Sequence, residues 1–224
     1  MKVIAASDSS LLVVLGNSIS PELHVRVIAL FQALRAKNDH RILNLHPGYA
    51  SLLVDFDALQ IGHEELSATL EECANSAAMG TTSHARVVTV PVCYDEEFGP
   101  DLLDLAGHAG ISPREVIRLH TSGAYLVYFL GFSPGFAYMG GLLEKLHMPR
   151  LATPRTHVAA GTIGIAGSQT GVYPVDSAGG WRLIGRTPWR MFDPSSDPPT
   201  RLQPGDKVRF SAIDRATFGA MQQA

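Results

Sequence analysis

The sequence predicts an α+β protein of two domains, a small helix-and-sheet domain followed by a β-barrel or sandwich. At 224 residues the chain is long enough to form two separate cores. Up to about residue 90, segments with strand-like and helix-like hydrophobic spacing alternate. From Tyr125 onward, short apolar segments separated by Gly and Pro follow one another, which is typical of all-β architectures. We therefore expect domains at residues 1–90 and 91–224.

The first strand and the first helix of the N-terminal domain have clear boundaries in the sequence. Leu11–Leu15 is a continuous apolar run, and such runs favour a buried strand. Ser20 and Pro21 follow it, a pair typical of an N-cap and a first helical turn. The predicted helix carries its apolar residues on one face: Leu23, Val27, Leu30, Phe31 and Leu34.

Two strands, a second helix and a final strand complete this domain. Pro47-Gly48 separates two alternating apolar segments, which predicts a hairpin. Residues 62–77 have helical spacing, and residues 85–92 (ARVVTVPV) read as a strand. The resulting order is β-α-β-β-α-β, the split βαβ arrangement, in which two helices cover one face of an antiparallel sheet.

The second domain begins with two short helices, introduced by Pro100 and Pro113. Within the strands that follow, Gly161, Gly164 and Gly167 are spaced G-x-x-G-x-x-G. This spacing matches neither a dinucleotide-binding loop nor a P-loop, and no predicted helix follows it. We interpret these glycines as places where the barrel bends or where backbone packs closely.

Composition excludes several classes of function. The formal net charge is −3 and no cluster of Lys and Arg is present, so neither a nucleic-acid surface nor a membrane surface is expected. No apolar segment has the length of a transmembrane helix, and a cytoplasmic location is expected. The two cysteines are far apart and the nine histidines form no metal-ligand spacing, so no protein-bound metal is expected.

Ser133 lies in the segment GFSPG, which fits the G-x-S-x-G pattern of a serine-hydrolase nucleophile. In such enzymes the residue after the serine donates its backbone N–H to the oxyanion. Here that residue is Pro134, which has no N–H, and Gly135 argues against a helix that starts at the serine. We therefore expect Ser133 not to be a nucleophile.

Four segments together resemble the family of 5-oxoprolinase B subunits, also called KipI or allophanate hydrolase subunit 1: GFSPGFAYMGGL, MPRLATPRTHVAAGTIGIAGSQTGVYPV, GGWRLIGRTP and LQPGDKVRF. The resemblance implies a cyclophilin-like barrel behind the small domain. Ala159 and Ala178 depart from the family pattern, because a proline is common at each of these positions.

The resemblance also implies a function. It implies the B subunit of an ATP-dependent 5-oxoprolinase, which opens 5-oxo-L-proline to L-glutamate together with a larger C subunit (KipA-like) and an A subunit. ATP with Mg²⁺ is then expected in the assembled complex but not on this chain alone, since its sequence has no P-loop or kinase-type glycine loop. We expect the chain to be inactive by itself. Two alternatives implied by the family remain open, a protein that inhibits a sensor histidine kinase and a subunit related to urea carboxylase or allophanate hydrolase.

Glycines and aromatic residues around Ser133 predict a rigid loop at the mouth of the barrel, where it contacts a ligand or the partner protein. The alternative is a loop that closes the end of the barrel without a further role. The residues assigned to this loop, together with the strand end next to it, are Phe132, Pro134, Gly135, Phe136, Tyr138 and Trp181.

The candidate substrate-binding residues lie in or next to the predicted strands of the second domain. Arg150 and Arg155 each follow a proline, and a guanidinium group fits a carboxylate or an acyl phosphate. Their alternative role is a structural ion pair. His120 is the candidate general base, with a hydrogen-bonded structural histidine as the alternative. Further polar or aromatic residues expected to line the site are Gln169, Tyr173 and Arg182.

Overall fold

A computed structural model describes residues 1–78 and 86–223 of the chain. The chain divides into two compact units, Met1–His84 and Ala85–Ala224. Helices and sheets are both present, and one sheet closes into a seven-stranded barrel, which confirms the predicted α+β class. Among the described residues, no helix has the length and apolar character needed to cross a membrane.

The described part of the first unit is a four-stranded sheet with two helices. Its elements are β1 (Lys2–Ser7), β2 (Ser10–Val14), α1 (Pro21–Lys37), β3 (Ile42–Pro47), β4 (Ser51–Phe56) and α2 (His63–Ala78). The strands are all antiparallel, in the spatial order β1-β2-β4-β3. Ser20 caps α1 as the sequence predicts, since its Oγ accepts the Leu23 N–H at 3.1 Å.

The element order of this unit differs from the predicted β-α-β-β-α-β arrangement at both of its ends. The order is β-β-α-β-β-α, because β1 precedes the first predicted strand and residues 87–93 join the barrel instead. Strand β1 is almost wholly exposed, so it lacks the apolar alternation by which a strand is recognised. The predicted boundary after residue 90 therefore falls inside a barrel strand, and Ala85, the first residue of the predicted strand, lies outside the described residues.

The second unit is built around the barrel. Its strands are β5 (Val87–Cys93), β6 (Tyr125–Leu130), β7 (Ala137–Gly140), β8 (Arg155–Val158), β9 (Thr162–Ala166), β10 (Gln169–Val172), β11 (Ser177–Gly179), β12 (Arg182–Arg186) and β13 (Lys207–Ile213). Its helices are α3 (Leu102–Ala109), α4 (Pro113–Ser122) and α5 (Arg215–Gln222), with a 3₁₀ turn at Glu144–Leu146. The barrel order is β10-β7-β6-β13-β5-β12-β9, whereas β8 and β11 form a separate two-stranded sheet.

Two hydrophobic clusters lie on opposite faces of the barrel strands. On β7, Ala137 and Met139 belong to the interior cluster, while the neighbouring Phe136 and Tyr138 belong to a second one. Because successive strand residues point to opposite faces, the second cluster covers the outside of the barrel. We call its four rings, Phe136, Tyr138, Tyr173 and Trp181, the aromatic cluster.

Candidate functional site

The segment between β6 and β7, residues 131–136, is a tight loop, here called the aromatic loop. The Gly131 N–H donates to the Phe136 carbonyl at 3.0 Å, and the Phe136 N–H donates to the Ser133 carbonyl at 3.0 Å. The Ser133 N–H donates to the Gly131 carbonyl at 2.8 Å. These bonds within the loop satisfy backbone groups and hold its backbone in a tight turn.

Phe132 lies at the tip of this loop and is 64% exposed. Its φ is +67°, in the left-handed region that bulky residues rarely adopt. The ring contacts Phe136 and Tyr173 edge to face, with centroids 5.6 Å and 6.4 Å apart. Beside it, residues 130–135, which include Pro134 and the buried Gly135, line an open concavity of about 320 Å³.

Ser133 has none of the surroundings of a catalytic serine. A strand rather than a helix follows the loop, and Pro134 supplies no N–H. The Ser133 Oγ is buried and has no hydrogen-bond partner among the described residues. A hydroxyl of this kind is a polar group buried without compensation.

We expect Ser133→Ala to keep the fold and to raise the free energy of unfolding by up to about 1 kcal/mol, because the substitution removes a buried hydroxyl that makes no hydrogen bond. Urea unfolding followed by tryptophan fluorescence measures the change. Ser112→Ala is the control in the same unit, since its Oγ caps α4 by accepting the Glu115 N–H at 3.2 Å and loss of this cap should lower the stability by about 1 kcal/mol. A loss of stability in Ser133→Ala as large as in the control would contradict the assignment.

The aromatic loop ends at Phe136, whose ring packs within the aromatic cluster. The Phe136 ring is 1% exposed and contacts Tyr138, Tyr173 and Trp181 edge to face, at centroid distances of 4.9, 5.1 and 5.3 Å. Gly171 leaves room for it, since a Cβ there would lie 2.9 Å from Phe136 Cζ. Tyr173 and Trp181 are also buried. The structure therefore brings together the predicted loop residues, but with only Phe132 and Pro134 exposed.

Arg150 is the exposed arginine of the site. Its Cζ lies 5.7 Å from the centre of the Trp181 ring, within the range of a cation–π contact. Within residues 1–78 and 86–223, no hydrogen bond or ion pair engages its guanidinium. Arg150 therefore retains all of its donors for a ligand or a partner.

The side chains of Arg155 and Arg182 are hydrogen bonded to other groups of the protein. Arg155 Nη2 donates to Asp101 Oδ1 at 2.7 Å, and its Nη1 lies 3.4 Å from the Trp181 carbonyl. Arg182 Nε donates to the Pro149 carbonyl at 3.2 Å. For Arg155 this geometry corresponds to the ion-pair alternative.

Asp101 is a residue of this site that the sequence analysis missed. It is buried, and its Oδ2 accepts the Leu183 N–H at 2.7 Å while Oδ1 accepts from Arg155. An aspartate directly before a helix indicates an N-cap, which gives no hint of such a pair. The carboxylate instead joins the start of α3 to β8 and β12.

Burial and the neighbouring arginines shift the pKa values of Tyr173 and Tyr138 in opposite directions. Burial raises the pKa of Tyr173, and the charges of Arg150 and Arg155 partly oppose that rise. Burial likewise raises the pKa of Tyr138, again against the charge of Arg150. Both hydroxyls therefore remain protonated at neutral pH and can act as donors. Gln169 lies opposite Ala166 in the β9–β10 pair, and Ala166 belongs to the hydrophobic cluster on the outer face of the barrel.

His120 lies on α4, and its ring packs against Phe210 of the interior cluster rather than against the aromatic cluster on the outer face of the barrel. Its side chain is fully buried, hydrogen bonded through Nδ1 to Tyr94 Oη at 2.7 Å and through Nε2 to Thr170 Oγ1 at 3.3 Å. The imidazole stacks on Phe210 with ring centroids 4.5 Å apart. Burial lowers the pKa of His120 to about 3. These are the surroundings of a structural histidine, the alternative to a general base.

The described residues, 1–78 and 86–223, contain no group of three or more His, Cys, Asp or Glu side chains arranged to hold a metal ion. The carboxylate of Asp101 is engaged by Arg155 and the Leu183 N–H, so the Arg150 guanidinium and the phenol hydroxyls of the aromatic cluster are the groups that can donate hydrogen bonds. Donors of this kind suit an anion such as a carboxylate rather than a cation.

Comparison with known proteins identifies close relatives of the chain. A family profile described as "Carboxyltransferase domain, subdomain C and D" matches residues 1–202. The B subunit of 5-oxoprolinase from Bacillus subtilis is 37% identical over 226 residues, which cover 96% of this chain and 94% of that protein. The B subunit of 5-oxoprolinase from Escherichia coli O157:H7 is 53% identical over 126 residues, 56% of this chain and 58% of that protein.

A solved structure shows the same fold. The crystal structure of the protein TTHA0988 superposes with a TM-score of 0.82 at 35% identity and covers 92% of this chain. The matched region spans only 40% of the length of that protein chain. More than half of that relative is therefore polypeptide without a counterpart in this chain.

Proposed function

Because the chain belongs to the family of 5-oxoprolinase B subunits, we propose that it is the B subunit of an ATP-dependent 5-oxoprolinase that opens 5-oxo-L-proline to L-glutamate. The observation that carries this proposal is the 37% identity to the Bacillus subtilis protein over nearly the full length of both chains. Fold likeness alone would not support an activity, because one fold serves many reactions. A larger C subunit and an A subunit complete the proposed enzyme, which acts in the cytoplasm.

The reaction requires a group that holds the carboxylate of 5-oxo-L-proline while the lactam bond is hydrolysed. Arg150 fits this role, since its guanidinium is exposed and makes no hydrogen bond or ion pair with any described residue. The Trp181 ring fixes its direction through the cation–π contact. Arg155, held by Asp101, stabilises the backbone of Trp181 beneath it.

When bound in the complete enzyme, ATP with Mg²⁺ would supply the phosphoryl group that activates the lactam carbonyl of the substrate. The donors around the aromatic cluster do not fit a metal ion, so no step of the reaction is assigned to Mg²⁺ on this chain. We place the nucleotide and its metal on a different polypeptide of the enzyme. In the proposed division of roles, this chain orients the substrate and excludes water from one side of it.

The purified chain alone is expected to show no ATP hydrolysis that depends on 5-oxo-L-proline, because the groups that hold the nucleotide lie on a different polypeptide. Addition of the C and A subunits from the same genome should produce turnover, measured as phosphate released and glutamate formed. L-proline, which has no lactam bond, is the control substrate. Turnover by the single chain, or none by the complete mixture, would contradict the proposed function.

A further inference from the structure

We propose that Phe132 is the anchor by which the larger C subunit of the same enzyme docks on this chain, with the tip of the aromatic loop as the docking surface. The identity of that partner rests on the proposed function. The location rests on the exposure of one ring, the conformation of its backbone and the shape of the surface beside it.

The exposure of Phe132 is unlike that of the other phenylalanines of the chain. Within the part of the chain that the structure describes, it is the only phenylalanine that is exposed rather than buried or half-buried. Single exposed aliphatic side chains are common on protein surfaces. An exposed aromatic ring at the end of a supported loop is instead the kind of residue that dominates binding energy in protein interfaces.

The backbone at Phe132 is strained. A φ of +67° places Cβ close to the carbonyl oxygen, an unfavourable conformation that glycine adopts without this steric conflict. A phenylalanine nevertheless occupies the position and exposes most of its ring. Strained positions of this kind concentrate at ligand-binding and partner-binding sites.

The ring is also fixed before any partner arrives. Three backbone hydrogen bonds close the aromatic loop, and the Phe132 ring lies against Phe136 and Tyr173. A partner that binds such a side chain loses little conformational entropy in ordering it. The concavity of about 320 Å³ lined by residues 130–135 lies beside the ring and offers space for an apolar side chain of the partner.

The occupant that the observations favour is a polypeptide of different sequence with an apolar pocket for the ring. The relatives from Bacillus subtilis and Escherichia coli are each named as the B subunit of an enzyme, a name that implies other polypeptides. In TTHA0988 the counterpart of this chain is continuous with additional polypeptide, because the match spans 40% of it. Both observations favour a second, unrelated protein surface next to this fold. A second copy of the chain is the competing occupant.

The affinity of the purified chain for the purified C subunit tests the proposal, with calorimetric titration of the wild type and of three variants. Phe132→Ala and Phe132→Gly should each weaken binding about 30-fold or more, as expected for an aromatic anchor. Leu103→Ala is the matched control, because Leu103 on α3 is 60% exposed and apolar; its affinity should stay within about twofold of the wild type. Phe132→Gly relieves the positive φ, so it should melt no lower than Phe132→Ala, and lost binding then cannot reflect lost folding.

Wild-type affinity in Phe132→Ala would overturn the docking proposal, as would failure of the wild-type chain to bind the C subunit. A wild-type dimer that Phe132→Ala converts to a monomer in sedimentation would show that a second copy occupies the surface, which also overturns it. If the Phe132 variants lose binding while the complete mixture does not turn over 5-oxo-L-proline, the docking surface stands and the proposed function falls.

Discussion

Replacing Phe136 with alanine is expected to lower the free energy of unfolding of the second unit by about 3–5 kcal/mol, the usual effect of removing a buried aromatic ring. The ring is 1% exposed and contacts three other rings, so its loss leaves a cavity in the aromatic cluster. Backbone collapse into the cavity is opposed by the barrel strands on which the cluster lies. Both tryptophans of the chain, Trp181 and Trp189, belong to this unit, so their fluorescence during urea unfolding reports its stability.

Phe132→Ala provides the control for this prediction, since it removes the same ring from an exposed position and creates no cavity. We expect a change of no more than about 1 kcal/mol there. Equal losses of stability in the two variants would show that the aromatic cluster does not stabilise the unit through burial. The comparison also separates the stabilising ring of the site from the ring that we assign to docking.

Acidification from pH 7 to pH 5 is expected to lower the free energy of unfolding by about 2 kcal/mol through His120 alone. Burial holds the pKa of this histidine at about 3 in the folded chain, whereas an unfolded chain has the ordinary value of 6.5. The unfolded state therefore gains a proton below pH 6.5 that the folded state does not accept. The contribution of His120 to stability is complete above pH 6.5, falls by about 1.4 kcal/mol per pH unit below it, and levels off near pH 3.

Urea unfolding at several values between pH 7 and pH 5 measures this slope. The range avoids most of the titration of carboxylates whose pKa is lowered in the folded state, such as Asp39 and Glu115. His120→Gln is the matched variant, because an amide keeps hydrogen-bonding capacity but does not titrate. It should be less stable than the wild type at pH 7 and lose less stability on acidification. The same slope in both proteins would refute the burial of a neutral histidine.

Local patterns in the sequence are sufficient to predict the cap of α1, the hairpin and the series of short strands that begins at Tyr125. Ser20, Pro21 and the Pro47-Gly48 turn act through residues within a few positions of them, which is why they can be recognised in the sequence. Strand β5 was assigned to the wrong sheet because its partner β13 lies more than a hundred residues away, with Thr89 opposite Arg209. No local pattern states which of two sheets a strand joins.

In the candidate site, too, contacts between residues far apart in the sequence leave no local pattern. Glycines and aromatic residues close together in sequence predict the aromatic loop, and residues 131–136 form a hydrogen-bonded loop between β6 and β7. The pair of Asp101 with Arg155 joins residues 54 positions apart and exists only after folding. For His120 a usable signal was present, because it lies four residues after Val116 and so on the same, buried face of α4.

The pairing of β5 with β13 determines when the barrel can close during translation. Strand β5 is the first barrel strand to leave the ribosome and β13 is the last, yet the two are direct neighbours along seven residue pairs. The nascent barrel therefore keeps an open edge on β5 until translation has passed Ile213. The four-stranded sheet of the first unit contains no such distant pair and can fold while the rest of the chain is still being synthesised.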